Sequence, residues 1–383
     1  MTVGFALWYR RNLMKQTYIH QRAGWPALRW DEAALAVPLA ETRHAQGRLL
    51  GRMEALGFPL CGEADLSIMT DEVVKSSAIE GEALDGRQVR SSLARRLGID
   101  IGGNVPSSRS VDGVVEMMLD ATRHYAQPLT AERLFGWQSA LFPTGRSGLR
   151  RITTGAWRRP EAGPMQVVSG ALGRETVHFE APAAERLKRE MESFLAWFNA
   201  PHSTDQVLHA GLAHFRFVTV HPFEDGNGRI ARAIADLALA RSDGRAERFY
   251  SMSAQIEAER KAYYEVLEQS QRGGLDVTPW LAWFLGCLKR SIARADTALQ
   301  AVLAKAAMWR LLEGRPINDR QKKVLNRLHE NFEGYLTSSK YSKMTDCSAD
   351  TALRDVRELI EWGVLVRNES GGRSVSYRLS DLL

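Results

Sequence analysis

Apolar residues recur every three or four positions along most of the chain, the period of a helix with one buried face. Leu35, Leu39, Leu49, Leu50, Met53 and Leu56 carry the period first, behind Asp31 as an N-cap and after a stretch holding Trp25-Pro26 and Trp30. A second helix is predicted from Leu66 to Gly81, a residue suited to the left-handed turn that stops a helix. Val111, Val114, Met117 and Met118 mark a third, and Thr130 caps a fourth that ends near Phe142. Leu212, Phe215, Phe217, Val218 and Val220 form one helical face, and Ile230, Ala233, Ile234 and Leu237 form another. Met252 to Gln271 reads as a single helix. Thr278 is the expected cap of the next, with Pro279 at its first position, and the apolar rhythm then continues past Leu285 and Ile292 towards Trp309.

Two regions depart from this period. Between Gly145 and Ala181, glycine, proline and β-branched residues take over, and Met165–Val168 and Thr176–Phe179 predict short strands around Ser169-Gly170-Ala171-Leu172-Gly173. After Gly314-Arg315-Pro316 a separate module is expected. Asp319 would cap a helix carrying Val324, Leu325 and Leu328, Thr337–Met344 would form a second, and Ser348 would cap a third through Leu353, Val356, Leu359 and Ile360. Gly363–Val366 and Val375–Leu379 complete it as strands around residues 369–373. The predicted fold class is mainly α, with a hairpin in the middle and another at the end.

Composition narrows the class. At 383 residues, with 44% hydrophobic and 25% charged residues, the chain is expected to be a globular protein of two or three domains. No apolar run is long enough to span a membrane, and residues 1–15 lack the apolar length and cleavage site of a signal peptide. Met14 is an alternative start. Three scattered cysteines (Cys61, Cys287, Cys347) form neither a disulfide framework nor a metal spacing, which points to the reducing cytoplasm. A net charge of +6 permits nucleic-acid contact without requiring it.

The chemistry concentrates in His221-Pro222-Phe223-Glu224-Asp225-Gly226-Asn227-Gly228-Arg229-Ile230-Ala231-Arg232. Asp225-Gly226-Asn227-Gly228 separates two apolar helical runs, so the stretch reads as a loop whose glycines open the second helix. There, unpaired N–H groups and the positive end of the helix dipole favour a phosphate. Arg229 and Arg232, three apart, share a face and can grip outer phosphates with forked donors. Asp225 can hold a divalent cation bridging those phosphates. His221 titrates in the range needed to take a proton from an attacking hydroxyl. Taken singly, each feature is an ordinary turn, helix end or solvated face; the order and spacing carry the signal.

The stretch resembles the signature of the Fic family, His-Pro-Phe-x-Asp/Glu-Gly-Asn-Gly-Arg-x-x-Arg, at every specified position. The resemblance implies a nucleotidyltransferase moving AMP from ATP to a Ser, Thr or Tyr hydroxyl of a target protein. It assigns His221 as the base, Asp225 as the Mg²⁺ ligand, Gly226, Asn227 and Gly228 as the anion cradle, and Arg229 and Arg232 as the grip on the β and γ phosphates. Phe223 would anchor the loop. Upstream, Ser76-Ser77-Ala78-Ile79-Glu80-Gly81 resembles the family's inhibitory helix, in which Glu80 would pair with Arg232 in the place of the γ-phosphate and Ser76 shares its face. Tyr263 and Tyr264 fall where the family has an aromatic pair near the nucleobase, with Gln271 a weaker candidate; core packing is the alternative for all three. The central hairpin resembles the family's flap, whose edge strand pairs with the target. The resemblance divides the chain into a small N-terminal helical domain (1–60), a Fic core with the inhibitory helix (61–312) and a winged helix-turn-helix (313–383). In that last module Thr351 and Arg354 would face DNA from the recognition helix and Arg373 from the wing, against a protein-docking alternative. Other readings stay open: hydrolytic removal of AMP with Glu80 aligning water, a nucleotide-sensing DNA regulator, and a homodimer.

Overall fold

The computed structural model describes residues 17–54, 58–101, 105–170, 174, 176–329, 332, 334–368 and 375–380. Met14, Leu56, the turn residues 171–173 and Arg373 lie outside the described residues. The chain divides into two compact units, residues 1–294 and 295–383. The architecture is mainly α with small antiparallel hairpins.

In the first unit, α1 (Glu32–Glu54) starts where Asp31 Oδ1 accepts the Ala34 N–H at 3.0 Å. The next helix, α2 (Phe58–Ile79), begins upstream of Leu66, so the expected boundary at 60/61 falls inside it. It ends in a Schellman motif: the Glu82 N–H reaches Ser77 O at 3.0 Å, the Gly81 N–H reaches Ala78 O at 3.0 Å, and Gly81 sits at φ +83°. Because that turn is tight, Glu80 and Glu82 emerge side by side beyond the helix end. α3 (Gly86–Leu97) follows, capped by Asp85 through the Arg87 N–H at 2.8 Å and closed by Gly98; sequence periodicity did not reveal it. α4 (Arg109–Arg123) and α5 (Ala131–Leu141) are capped by Ser108 and Thr130.

A two-residue ladder, β1 (Arg146–Ser147) with β2 (Arg150–Arg151), precedes the larger hairpin of β3 (Gln166–Ser169) and β4 (Thr176–Glu180). Every residue of β3 is exposed, and among the described residues β3 pairs with β4 alone. β4 is held from behind by Arg272, which donates to His178 O at 3.0 Å and Val177 O at 2.9 Å.

α6 (Leu187–Asn199), also unexpected, leads to α7 (Gln206–Val220) and α8 (Asn227–Asp243), the most deeply buried pair in the unit. Asp205 caps α7 through Val207 N. The helix expected over Met252–Gln271 is broken at Glu259 into α9 (Met252–Ala258) and α10 (Arg260–Arg272). Glu259 leaves helical geometry and spends its carboxylate on Arg290 and Gln255, contacts no local pattern signals. α11 (Thr278–Leu311) is the long helix that the apolar rhythm anticipated. Thr278 is its first residue rather than its cap: the hydroxyl donates to Asp276 and accepts the Asp31 N–H at 2.8 Å, tying α11 to the start of α1.

The second unit contains the end of α11, then α12 (Asp319–His329), α13 (Ser338–Thr345) and α14 (Ala349–Glu361), with β5 (Leu365–Arg367) antiparallel to β6 (Tyr377–Leu379). Asn318, not Asp319, caps α12, in a reciprocal pair: Gln321 N–H to Asn318 Oδ1 at 2.9 Å and Asn318 N–H to Gln321 Oε1 at 3.0 Å. Met308, Val324, Leu325, Leu336, Tyr341 and Val356 are among the residues filling the core. Asp355 is buried there as a polar hub, accepting from Arg320, Tyr341 and Asn318.

Candidate functional site

The site is built where α7 stops and α8 starts. His221 closes α7 in the left-handed conformation (φ 51°, ψ 59°), its N–H returning to Phe217 O at 2.9 Å. A non-glycine residue there is strained, and the surroundings hold it in place. Arg158, itself buried, donates from Nε to His221 O at 2.9 Å, and its backbone N–H donates to Pro222 O at 2.9 Å. Phe223 is fully buried against Trp157, Phe135 and Phe217. Asn227 stitches the loop shut: its side-chain oxygen accepts the Phe223 N–H at 3.0 Å and its amide nitrogen donates to Phe223 O at 2.8 Å. With both side-chain groups spent, Asn227 can offer an anion only its backbone N–H.

His221 Nδ1 lies 3.1 Å from Val218 O. A carbonyl only accepts, so Nδ1 carries the proton and the Nε2 lone pair is left for another proton. Among the described residues Nε2 has no hydrogen-bond partner. Burial lowers the imidazole pKa below its ordinary range, only partly countered by the Val218 carbonyl, so the ring is neutral near pH 7.

Gly226 is the N-cap of α8, at φ 86°. No backbone acceptor within the described residues takes the N–H groups of Asn227, Gly228 and Arg229, as expected in the first turn of a helix. Over this turn lies Glu80. Its Oε1 is 2.9 Å from Arg232 Nη2, and a Cβ on Gly228 would come within 2.8 Å of the Glu80 Cδ. Gly228 is therefore the residue that lets a carboxylate rest on the helix start. Arg232, only 2% exposed, also donates from Nε to Ser76 Oγ at 2.9 Å and from Nη2 to Ser76 O at 2.8 Å. Burial alone would lower its pKa, but the Glu80 carboxylate overrides this and raises it.

A second pair stands beside the first. Arg229 Nη1 is bonded to the Glu82 carboxylate, and its guanidinium lies 5.1 Å over the Phe142 ring. Sequence reasoning missed Glu82; its place two residues after Glu80, beyond a helix stop, was the available signal. Arg232 Nη1 and Arg229 Nε remain buried without partners. Orphaned donors beside free N–H groups fit a ligand richer in acceptor oxygens than two carboxylates, and a polyphosphate is such a ligand.

Asp225 projects from the same loop. Its Oδ2 accepts from Ser147 Oγ, another unforeseen neighbour, and its Oδ1 accepts the Gly226 N–H at 2.6 Å. Glu224 turns away to Arg150 at 3.2 Å and to the Thr153 N–H. Among the described residues no cluster of three His, Cys, Asp or Glu side chains could hold a metal unaided. A single hard carboxylate beside an anion cradle still fits Mg²⁺, which takes one or two carboxylates with phosphate and water completing its shell.

The tyrosine pair divides. Tyr263 is 1% exposed, packed against Trp280 and Trp283, with its hydroxyl 3.0 Å from His214 Nε2. It is a core residue here, the alternative expected for it. Tyr264, 37% exposed, keeps its ring at the surface and donates to Ile79 O at 3.4 Å. Gln271 is buried and donates to Thr219 Oγ1 at 3.2 Å, a core contact as well.

A mainly helical unit whose buried helix pair meets in a histidine, a carboxylate and an arginine-lined helix start is the Fic arrangement. Residues 128–239 match the family model described as the Fic/DOC family, and residues 18–99 match one described as a domain of unknown function, DUF4172. The chain thus carries a Fic/DOC-family domain over residues 128–239. Among curated relatives, the protein adenylyltransferase Fic of Nematostella vectensis is 33% identical over 113 residues, covering 29% of this chain and 25% of the relative. That of Culex quinquefasciatus is 26% identical over 236 residues, covering 60% and 42%. The matches thus span from a quarter to about two fifths of the relatives' length. A crystal structure of a Fic family protein from Desulfovibrio desulfuricans is 20% identical, covers 91% of this chain and 96% of that chain, and superposes with a TM-score of 0.49. Among the described residues no helix is long and apolar enough to cross a membrane.

Proposed function

We propose that this chain transfers AMP from ATP to a side-chain hydroxyl of a target protein, and that Glu80 holds the reaction off. One observation carries the proposal: a carboxylate brought from α2 lies on Gly228 and Arg232, where an anion belongs. In the active state the polyphosphate replaces that carboxylate. The N–H groups of residues 227–229 and the freed donors of Arg229 and Arg232 then hold the outer phosphates. Asp225 is the residue that would hold Mg²⁺, which supplies charge neutralisation to the departing pyrophosphate. His221 takes the proton of the incoming hydroxyl on Nε2 as its oxygen bonds to the α-phosphorus. Pyrophosphate leaves and the histidine later releases the proton. Positioning and charge supply most of the rate in such transfers.

The open edge of β3 supports a target segment docked as an added strand, which would present its hydroxyl towards His221. Tyr264 is the remaining candidate for the base of the nucleotide. The test is transfer from labelled ATP into a cell lysate by wild type, Glu80→Gly and Glu80→Gly/His221→Ala. Labelling should appear or rise with Glu80→Gly and vanish in the double variant. Labelling that survives without His221 would overturn its role as base.

A second reading concerns residues 313–383. Three helices and a strand pair support reading it as a winged helix-turn-helix, and two of the acidic residues on the third helix turn inward: Asp355 is buried, and Glu358 accepts from Gln321 at 2.9 Å. Arg354, which would reach base edges, and Lys343, which would lie near phosphates, are both exposed. Duplex binding by the full chain should weaken with salt, with a log–log slope of about −0.9 per phosphate neutralised. Failure to retain duplex at low salt would leave protein docking as the module's role.

A further inference from the structure

Arg158, Arg229, Arg232 and Arg248 are buried, and each is hydrogen-bonded to a carbonyl or carboxylate. Arg216, on α7, is buried to the same degree, at 5% exposure, yet none of its N–H groups meets an acceptor among the described residues. Its Nε is fully enclosed without a partner. The guanidinium lies 4.4 Å over the Trp197 ring and 5.7 Å from the centre of Phe194. Stacking of this kind satisfies the flat face of the cation but none of its in-plane donors. Burial lowers the guanidinium pKa only to about 10, so it stays charged at neutral pH.

The carboxylates at hand are spoken for. Glu190 accepts from Trp25 Nε1 at 2.9 Å and from Arg186 at 2.5 Å. Asp205 takes Arg43 in a forked pair at 3.0–3.1 Å and caps α7 through Val207 N at 2.8 Å. His209, stacked on Trp197 at 4.4 Å, is held neutral by burial, which takes its pKa to about 3, so it neither competes for an anion nor repels a guanidinium.

Arg216 lines a cavity of about 370 Å³ that also touches Trp30, Trp197, Leu212, Ser193 and Thr204. The volume is at the small end of ligand pockets, and the wall has the expected make-up of aromatic and aliphatic surface with few polar groups. We propose that this cavity is a binding site for a small organic carboxylate with a flat apolar body. The carboxylate accepts the in-plane donors of Arg216 in the forked geometry that guanidinium favours, with Ser193 and Thr204 as the neighbouring hydroxyls. The apolar body lies against the tryptophan side of the pocket. A phosphate dianion is the poorer match, because one cation and two hydroxyls leave much of its charge unpaired in an apolar cavity. The site lies on the flank of α7 and does not depend on the adenylyltransferase reading.

The test is calorimetry of the full chain with benzoate, the isosteric neutral benzamide and inorganic phosphate, each up to about 10 mM, where even millimolar affinity is measurable. Saturable benzoate binding is expected, at least about tenfold tighter than benzamide or phosphate, since a charge-assisted forked pair separates the ligands. Arg216→Met should abolish the preference for benzoate over benzamide. Ser193→Trp, an exposed change that narrows the cavity without touching the guanidinium, should weaken all binding. Absence of saturable benzoate binding to the wild type would overturn the proposal, as would equal binding of benzamide or phosphate. Should Arg216→Met not fold, the wild-type ligand comparison and Ser193→Trp decide the matter.

Discussion

Arg232 and Arg216 are both buried guanidinium groups on adjoining helices, and they have opposite surroundings. Arg232 is bonded three times, to Glu80, Ser76 Oγ and Ser76 O, and its charge is answered by a carboxylate from another helix. Arg216 is answered only by ring faces. An internal carboxylate resting on an anion cradle is a competitor, because a ligand must displace it and forfeits the energy of the pair. An unanswered buried guanidinium has no such competitor, so a ligand meets less opposition there. The difference teaches that a cation's burial alone says little about its readiness to bind; what already occupies its donors decides.

The largest effect that would sharpen the contrast is on chemistry rather than on binding. His221→Ala should lower AMP transfer by about 10²–10⁴-fold, the usual range for losing a general base, while ATP affinity measured by calorimetry stays near wild type. A parallel loss of affinity would mean that the imidazole holds the nucleotide. Next comes the competitor itself. Glu80→Gly should raise transfer at least about tenfold, whereas Arg232→Ala should weaken ATP by more than it weakens AMP if, as proposed, the guanidinium holds the outer phosphates. Equal weakening of both nucleotides would place Arg232 away from them and break the comparison.

Glu82→Gln tests the second pair. Its side chain is 39% exposed, so solvent screens the Arg229 contact and about 1 kcal/mol is a fair ceiling. A rise in ATP affinity of no more than about fivefold is expected, additive with Glu80→Gly only if the two carboxylates compete independently. A large rise from Glu82→Gln alone would make it the principal brake.

A separate effect, outside the site, is on stability in acid. Burial depresses the pKa values of His209 and His214 to about 3 in the folded state. Both are neutral in both states above about pH 6.5, the unfolded value, so their titration costs nothing there. As pH falls below that value the unfolded chain takes up protons that the folded chain refuses. Stability should therefore drop by about 1.4 kcal/mol per pH unit for each histidine between about 6.5 and 3. Denaturant melts of His214→Gln against wild type over this window should show a shallower slope for the variant. Identical slopes would mean that His214 protonates without cost.

Local patterns were legible wherever the physics is local. The caps at Asp31, Thr130 and Ser348, the glycine stop at Gly81 and the strand pair around residues 166–180 follow from short-range hydrogen bonding and backbone preference. The cap of α12 was misplaced by one residue because Asn318 and Asp319 are both good caps, and only the reciprocal bond to Gln321 distinguishes them. α3 escaped notice although Asp85 and Gly98 mark its two ends, and α6 starts without a side-chain cap. The break at Glu259 comes from a partner, Arg290, that is distant in sequence.

The same division holds at the site. A histidine, a carboxylate, two glycines and two arginines within twelve residues determine what chemistry the loop can do, because a helix start offers the same N–H groups in any protein. Only the tertiary structure decided what meets that loop. Beyond the Glu80–Arg232 pair that the family resemblance already implied, it brought Glu82 onto Arg229, Ser147 onto Asp225 and Arg158 under His221. It buried Tyr263 while leaving Tyr264 at the surface, although the two are neighbours on one helix. And it left Arg216 without an acceptor, which no sequence pattern could announce, because an unmet hydrogen bond is a property of everything packed around it.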